Sequence, residues 1–330
     1  MRISRRRFLA LVGVSTAAVA ACGGPAESTS APTTGGQGGT GGASGGGGSA
    51  GAGGGPPDPG GTIGPTGVSN KVLWLQGAAC SGCSVSFLNR LSAEPPDTIE
   101  DALLDVVLLG YHPTLMAAAG DSAIAAAEAL YAEGSYLLVV EGGIPTAMGG
   151  ATCRAWTVNG QELAFVDAVK HFAERAAIVM SVGTCACWGG VAAAAPNPTG
   201  VQGAQQVLGL TTLNIPGCPP HPDVIVWGIA RLLDQATIEL DQYGRPFELY
   251  NQRLHDRCPR LQAEEATTVG IDGSCVRKLG CRGQMCWAPC PVMPWNNGAN
   301  WCVDANANCI GCTEPDFPGT GLNEPISNGG

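Results

Sequence analysis

Short apolar runs alternate with helix-forming stretches through the middle of the chain. Strands are predicted over residues 72–76, 105–109, 136–140, 177–182 and 212–216. Helices are predicted over residues 84–91, 117–133, 161–174, 202–208 and 223–234. Continuously apolar strands separated by helices are typical of a parallel sheet that is covered on both faces. The pattern therefore predicts a flavodoxin-like, doubly wound α/β domain over residues 71–240.

Two other patterns precede this domain. Arginines at positions 5–7, followed by an uncharged run to Ala21, predict a twin-arginine export signal over residues 1–22. The run ends at Cys22 in a setting that resembles a lipoprotein processing site, and ordinary cleavage nearby is the alternative. Residues 23–70 are dominated by glycine with serine, threonine and proline, so we expect a disordered tether there. Lipidation of Cys22 would then hold an exported, periplasmic protein at a membrane surface.

The C-terminal part, residues 241–330, has few long apolar runs, and Pro, Asn and Gly are scattered through it. Eight of the 15 cysteines and His255 fall within this part. Such a segment cannot close a hydrophobic core alone, but thiolates gathered around metal would supply folding free energy. We therefore predict an irregular, cysteine-rich domain that is built around cofactors.

The net charge of the chain indicates which kinds of macromolecule it can bind. The formal net charge is −10, and arginines of the predicted signal account for part of the positive charge. An acidic body of this kind argues against nucleic acid and favours a basic protein partner.

Four cysteines of the first domain follow three predicted strands. Cys80 and Cys83 follow the first strand, Cys185 follows the fourth and Cys218 follows the fifth. Open parallel sheets bind ligands beyond the carboxyl ends of their strands, so these four thiols are expected to meet at one place. Four thiolates suit an iron–sulfur cluster or a structural zinc ion.

Disulfides are the ordinary alternative for paired cysteines in an exported protein. On that interpretation the chain would be a lipid-tethered, disulfide-stapled binding protein without catalysis. The twin-arginine signal favours clusters, because that route is associated with proteins exported already folded and with their cofactors inserted. Several separate cysteine groups in one chain also suit electron relay better than bracing by zinc.

Nine ordered motifs carry a resemblance to a known family. They are LQGAACSGCSVSFLN, YHPTLMAAAG, EGGIPTAMGG, VGTCACWGG, IPGCPPHP, HDRCPR, the spacing from Cys275 to Cys281, WNNGANWC and CIGCTEPDF. Together they resemble the small, electron-transferring subunit of nickel–iron hydrogenases over residues 71–317, in a style similar to the nickel–iron–selenium type. The iron–sulfur subunit of a quinone-reducing complex shares the fold and is an alternative. It would lack the C-terminal thiolates, the export signal and the tether.

The resemblance implies three ligand sets, each named here for use below. The proximal set holds a 4Fe–4S cluster beside the partner's nickel site, the distal set holds a 4Fe–4S cluster near the surface, and the medial set lies between them. Many relatives have proline at the position of Cys302 and a 3Fe–4S medial cluster, so a cysteine here implies 4Fe–4S if it ligates. The proximal set is Cys80, Cys83, Cys185 and Cys218; the distal set is His255, Cys258, Cys275 and Cys281; the medial set is Cys290, Cys302, Cys309 and Cys312.

The function implied by the resemblance is electron relay. Electrons would pass between a nickel–iron large subunit, which oxidises or evolves H2, and an external carrier such as a multihaem cytochrome c. Glu141 matches the family's EGxIPT element and is either part of a proton path or a structural carboxylate. Gly82 and Gly190 stand where oxygen-tolerant relatives have two further cysteines, so that device is not expected here.

Several other residues are expected to be structural. Cys153, Cys187 and Cys286 fall outside the ligand sets and are predicted to be inert thiols, although Cys187 is near enough to Cys185 to compete with it. His112 and His221 lie beside prolines in predicted loops.

Overall fold

The computed structural model describes residues 57–64, 67–93, 96–158, 160–268, 270 and 273–319. The predicted export signal, Cys22 and the tether up to residue 56 lie outside these ranges. Across the described part of the chain, no helix is both long enough and apolar enough to cross a bilayer.

The strands and helices follow one another in a largely alternating order. The strands are β1 (Pro59–Ile63), β2 (Lys71–Gln76), β3 (Leu108–Tyr111), β4 (Tyr136–Glu141), β5 (Ile144–Pro145), β6 (Arg154–Val158), β7 (Gln161–Ala164), β8 (Ala176–Val182), β9 (Val201–Gln202), β10 (Leu213–Ile215) and β11 (Ile238–Asp241). The α-helices are α1 (Gly82–Leu88), α2 (Ile99–Asp105), α3 (Asp121–Glu133), α4 (Phe165–Ala173), α5 (Thr184–Trp188), α6 (Ala204–Leu208), α7 (Pro222–Leu233), α8 (Phe247–Tyr250) and α9 (Trp295–Gly298).

A parallel sheet of five strands forms the centre of the first domain, in the order β3-β2-β4-β8-β10. Of these five strands, the first in sequence (β2) thus lies between the second (β3) and the third (β4), which is the flavodoxin-like order. Every residue of β4 is buried, as expected for a central strand. The predicted fold class is confirmed.

Both faces of the sheet are covered because side chains alternate along each strand. Leu73 and Leu75 of β2 lie in a buried cluster with Phe172 of α4. Trp74, between them, points the other way into a second cluster with Ile225 of α7. The two clusters fix the sheet between helical layers, and this leaves the carboxyl ends of the strands free to carry loops.

The C-terminal domain has little regular structure, as predicted. Short 3-10 turns at Leu254–Arg257, Arg277–Leu279 and Gly283–Met285 connect its loops. Its small buried cluster includes two cysteines among six residues, which are Leu254, Cys286, Ala288, Trp301, Val303 and Cys309. Thiols therefore occupy places that aliphatic side chains fill in an ordinary core.

Part of the predicted tether is ordered, which corrects the expected boundary. Residues Pro59–Ile63 form β1, which pairs antiparallel with β11 and places Ile63 opposite Ile238. Both isoleucines are buried. Main-chain hydrogen bonds need no particular side chain, so the glycine-rich composition gave no sign of strand β1. Ile63 is the one residue of this strand that is buried. Ordered structure thus begins before Lys71.

Two predicted elements are displaced for local reasons. The strand expected over 105–109 is instead the end of α2 followed by β3, because Thr98 caps the helix by accepting a hydrogen bond from the Asp101 N–H at 3.3 Å. The helix expected over 161–174 begins only at Phe165, since β7 forms a hairpin with β6 first.

A buried ion cluster fastens loops of the C-terminal domain to the end of β11. Arg245 follows β11 and is fully buried, with its Nε 2.6 Å from Asp241 Oδ2. Its Nη1 donates to the Thr313 carbonyl and to Glu314 Oε1, each at 3.1 Å. Glu314 Oε1 also accepts the Trp287 N–H at 2.6 Å. One guanidinium thus connects the end of β11 to two loops of the C-terminal domain.

Candidate metal centres

The four thiols of the proximal set come together at the carboxyl edge of the sheet. Cys80 lies between β2 and α1, Cys83 in the first turn of α1, Cys185 in α5 and Cys218 just after β10. Burial raises the pKa of Cys83 well above its ordinary value, with further contributions from Glu141 and from the other three thiols. Every cysteine in the described ranges is a free thiol.

Glycines lie beside these thiols at positions where a side chain would crowd the sulfur atoms. A Cβ at Gly82 would lie 3.1 Å from Cys80 Sγ, and one at Gly190 would lie 2.9 Å from Cys185 Sγ. Gly190 has a φ of +53°, so a side chain there would be strained as well as crowded. Closely packed thiols repel one another as thiolates unless a cation offsets their charge, and a metal cluster does so while needing a wide, uncrowded space. The proximal set fits an iron–sulfur cluster.

The distal set surrounds one cavity in the C-terminal domain. His255, Cys258, Cys275 and Cys281 line it together with Arg260, Arg277 and Gly283. Burial lowers the pKa of His255, which favours the neutral imidazole that a metal needs. Burial raises the pKa of Cys258 and Cys281, while main-chain N–H groups of Gly283 and Cys309 lower that of Cys281. One imidazole and three thiols around a common space fit a cluster with mixed ligands.

The medial set lies deeper in the same domain. Cys309 is buried, Cys290 and Cys312 are partly buried, and Cys302 is exposed. Burial raises the pKa of Cys290 and of Cys312, and the nearby thiol of Cys302 raises both further. The structure thus brings Cys302 close to Cys290 and Cys312, and the donor chemistry of the set fits a four-thiolate site.

Hydrogen bonds to main-chain carbonyls of the medial set link the neighbouring sets. Thr184 Oγ1, next to a proximal ligand in α5, donates to the Cys312 carbonyl. The N–H of Arg282, next to Cys281 of the distal set, donates to the Cys309 carbonyl at 2.7 Å. The three sets are therefore neighbours in the order proximal, medial, distal.

The thiols predicted to be inert have different surroundings. Cys187 is buried and its Sγ donates to the Ser181 carbonyl at 3.7 Å, whereas Cys153 packs half-buried against the core. Cys286 differs from both, because it lies near the medial thiols and its Sγ is 3.1 Å from Thr313 Oγ1. No periodic pattern in the sequence around Cys286 distinguishes it from Cys153, so this contact had no signal in the sequence.

Glu141 lies at the end of β4 and is almost fully buried. It accepts hydrogen bonds from Trp74 Nε1 at 2.9 Å and from Ser84 Oγ at 2.5 Å. Ser84 Oγ also lies 3.2 Å from His112 Nε2. His221 instead caps α7, where its Nδ1 accepts the Asp223 N–H at 3.1 Å. The structure thus gives His112 a place in the Glu141 network, while His221 serves the helix.

Two family models and one relative decide which family these sites belong to. The model described as NADH ubiquinone oxidoreductase, 20 Kd subunit, matches residues 80–232. The model for the C-terminal part of the NiFe/NiFeSe hydrogenase small subunit matches residues 250–322. The periplasmic NiFeSe hydrogenase small subunit of Desulfomicrobium baculatum is 38% identical over 270 residues, which cover 75% of this chain and 84% of that protein. The chain belongs to the small subunits of NiFe/NiFeSe hydrogenases.

Other comparisons agree with this family. The periplasmic NiFe hydrogenase small subunit of Solidesulfovibrio fructosivorans is 38% identical over 256 residues, covering 74% of this chain and 78% of that protein. The structure of the H2-activated NiFeSe hydrogenase of Dm. baculatum superposes with a TM-score of 0.70 at 37% identity, covering 76% of this chain and 96% of that one. The match over residues 250–322 decides against the subunit of a quinone-reducing complex.

As a hydrogenase small subunit, the chain is part of an oxidoreductase that acts on hydrogen. Small subunits of this family carry iron–sulfur clusters and pair with a nickel–iron large subunit. The expected family, enzyme class and general cofactor type are therefore confirmed.

Proposed function

We propose that this small subunit relays electrons through three 4Fe–4S clusters, held by the proximal, medial and distal sets. The observation that carries the proposal is the pair of hydrogen bonds from Thr184 Oγ1 to the Cys312 carbonyl and from the Arg282 N–H to the Cys309 carbonyl. Each joins a residue next to a ligand of one set to a ligand of the medial set, so electrons can pass between the sets in that order. Each cluster, when bound, supplies a one-electron step.

The chain's own residues would set the conditions for transfer. Cys309 is buried and Cys290 and Cys312 are partly buried, and this limited access of water lowers the local dielectric around the charges. His255 gives the distal set a neutral ligand in place of one thiolate, which tends to raise the potential there. His255 and Cys258 are both partly exposed, which suits electron exit to an external carrier such as a multihaem cytochrome c.

The large subunit would dock where the proximal set reaches the surface. Cys80 and Cys218 are exposed there. Helix α1 buries Ser84 and Ser86 but leaves Val85 53% exposed, and nearby Val191 is 48% exposed. A helix that turns hydroxyls inward and aliphatic groups outward beside two exposed ligands is typical of a surface that a partner covers.

Glu141 is proposed as part of a proton path near the proximal set. Its carboxylate is close enough to Cys83 and Cys185 to raise the pKa of each, after the larger effect of burial. The contacts from Glu141 to Ser84 and from Ser84 to His112 give three protonatable groups in a row.

Loss of the distal cluster gives the test of the relay. The variant Cys258→Ala should nearly abolish H2-dependent reduction of a multihaem cytochrome c, while hydrogen–deuterium exchange at the large subunit persists. The wild-type complex should contain about twelve irons in the small subunit, from three four-iron clusters. Cys153→Ala, which removes a thiol outside the three sets, is the control. Unchanged cytochrome reduction in an enzyme that has lost the distal cluster would refute the relay.

Membrane attachment is proposed to depend on Cys22, after export by the twin-arginine route into the periplasm. One lipid chain binds membranes only marginally, whereas two or more hold firmly, so a lipidated Cys22 would retain the enzyme on the membrane. Cys22→Ser should move most of the hydrogenase from the membrane fraction to the soluble periplasmic fraction. Cys153→Ser should leave the distribution unchanged. An intact mass that shows an unlipidated start beyond residue 22 would contradict this proposal.

A further inference from the structure

Three buried polar side chains meet at the carboxyl edge of the sheet. His112 follows β3, Ser84 lies in α1 and Glu141 ends β4, and none of them is more than 2% exposed. Ser84 Oγ lies 3.2 Å from His112 Nε2 and 2.5 Å from Glu141 Oε2. The Ser84 hydroxyl has one proton and two neighbours that could accept it, so the tautomer of His112 decides where that proton goes.

The main chain fixes the tautomer of His112. The Thr114 N–H donates to His112 Nδ1 at 3.2 Å, and the Thr114 hydroxyl lies at the same distance from that nitrogen. A main-chain N–H can only donate, so Nδ1 is the acceptor nitrogen and the single proton of the neutral ring is on Nε2. Burial lowers the pKa of His112 to about 4, so the ring is neutral near neutral pH.

The protonated Nε2 leaves the Ser84 hydroxyl one direction in which to donate. Nε2–H donates to Ser84 Oγ, and the Ser84 proton then goes to Glu141 Oε2. The imidazole packs against Trp74, with ring centroids 5.0 Å apart, and Trp74 Nε1 donates to the same carboxylate oxygen at 2.9 Å. The His112 carbonyl accepts the Met116 N–H at 3.2 Å. The row of hydrogen bonds therefore runs from His112 to Glu141, and it is closed at Nδ1.

We propose that His112 is a positioning residue of the proton path, whose Nε2–H directs the Ser84 hydroxyl to Glu141 while the ring itself carries no transferred proton. The proposal rests on the proposed function, because it takes Glu141 as part of that path. A hydroxyl already aimed at the carboxylate stabilises the negative charge that develops when Glu141 releases its proton, and it need not reorient. His112 ends the row, since a second proton on the ring would have to displace the Thr114 N–H from Nδ1.

Neutron diffraction from crystals of the holoenzyme tests the hydrogen positions directly. A deuteron is expected on His112 Nε2 and none on Nδ1, and the Ser84 deuteron should face Glu141. A deuteron on Nδ1, or a Ser84 hydroxyl that faces His112, would overturn the proposal. The measurement uses the unaltered protein, so it decides the matter even if a variant at position 112 does not fold.

Hydrogen–deuterium exchange at the large subunit of the purified complex tests the positioning role. His112→Leu removes the donor to Ser84, so exchange should fall by about tenfold, as expected for the loss of one hydrogen bond that supports the transfer. His112→Gln keeps an N–H donor but cannot take up and pass on a proton, so it should restore most of the rate. His171→Leu is the control, because this histidine is partly exposed on α4 and pairs with Glu128. It should leave exchange unchanged.

The variants separate the two roles that His112 could have. Exchange that is as slow in His112→Gln as in His112→Leu would show that the ring itself carries the proton, which overturns the proposal. Normal exchange in His112→Leu, with slow exchange in Glu141→Gln, would also overturn it, because the hydroxyl would then need no orientation by His112. Normal exchange in Glu141→Gln would instead contradict the proposed proton path, so the two failures are distinguishable.

Discussion

Cys302→Pro is expected to convert the medial cluster from a four-iron to a three-iron cluster. Proline has no side-chain ligand, so one corner of the cluster would lose its thiolate and its iron. Cys302 is exposed, while its three partners in the set are less accessible, so the remaining ligands should still hold the cluster. The proximal and distal sets do not include this residue and should keep their clusters.

EPR of the air-oxidised enzyme measures this change directly. The variant should show a strong three-iron signal that the wild type lacks, and its iron content should fall by about one per small subunit. Because cluster type is one determinant of potential, the medial potential should also rise. Cys153→Ala should retain the wild-type spectrum. A strong three-iron signal in undamaged wild-type protein would show that Cys302 does not ligate.

Arg245→Met is expected to weaken severely the attachment of the C-terminal loops to the end of β11. The guanidinium is fully buried and pairs with Asp241 and Glu314, so its removal leaves two carboxylates without their cation. Breaking a buried ion pair by removing one partner typically costs about 3–5 kcal/mol. Methionine is similar in length and apolar, so the loss should reflect charge rather than an empty space.

Native-state hydrogen exchange can locate this effect. The Trp287 N–H donates to Glu314, whose position depends on Arg245, so its protection should fall in the variant by an amount that corresponds to the lost stability. Arg253→Met is the matched control, because the pair of Arg253 with Asp256 is about half exposed and should contribute less than ~1 kcal/mol. Equal protection in the two variants would mean that the buried cluster does not fasten the C-terminal loops to β11.

The parallel sheet was predictable because its strands are continuously apolar. Tyr136–Glu141 and Ala176–Val182 are buried along nearly their whole length, so their runs of apolar residues were enough to predict them as strands. Helix α2 was missed because its start depends on the cap at Thr98 rather than on a long apolar stripe. Strand β1 was missed because its pairing with β11 is formed by the main chain and requires no pattern of apolar side chains in the sequence.

The candidate sites show a similar division. Cysteines that follow strand ends could be grouped from the sequence, because parallel strands finish at one edge, and the structure does bring Cys80, Cys83, Cys185 and Cys218 together. Within the irregular C-terminal domain no periodicity relates one loop to another. The contacts of Cys286 with Thr313 and of Arg245 with Glu314 therefore became visible only in three dimensions.

The hydrogen bonds from Thr184 to Cys312 and from Arg282 to Cys309 are accepted by main-chain carbonyls of the ligands themselves. Every residue has a main-chain carbonyl, so any descendant sequence that keeps a ligand at these positions keeps the acceptor as well. The donor at position 282 is a main-chain N–H, which only proline lacks. Natural variation can change the side chains around the clusters, but the connection between neighbouring sites is inherited together with the ligands.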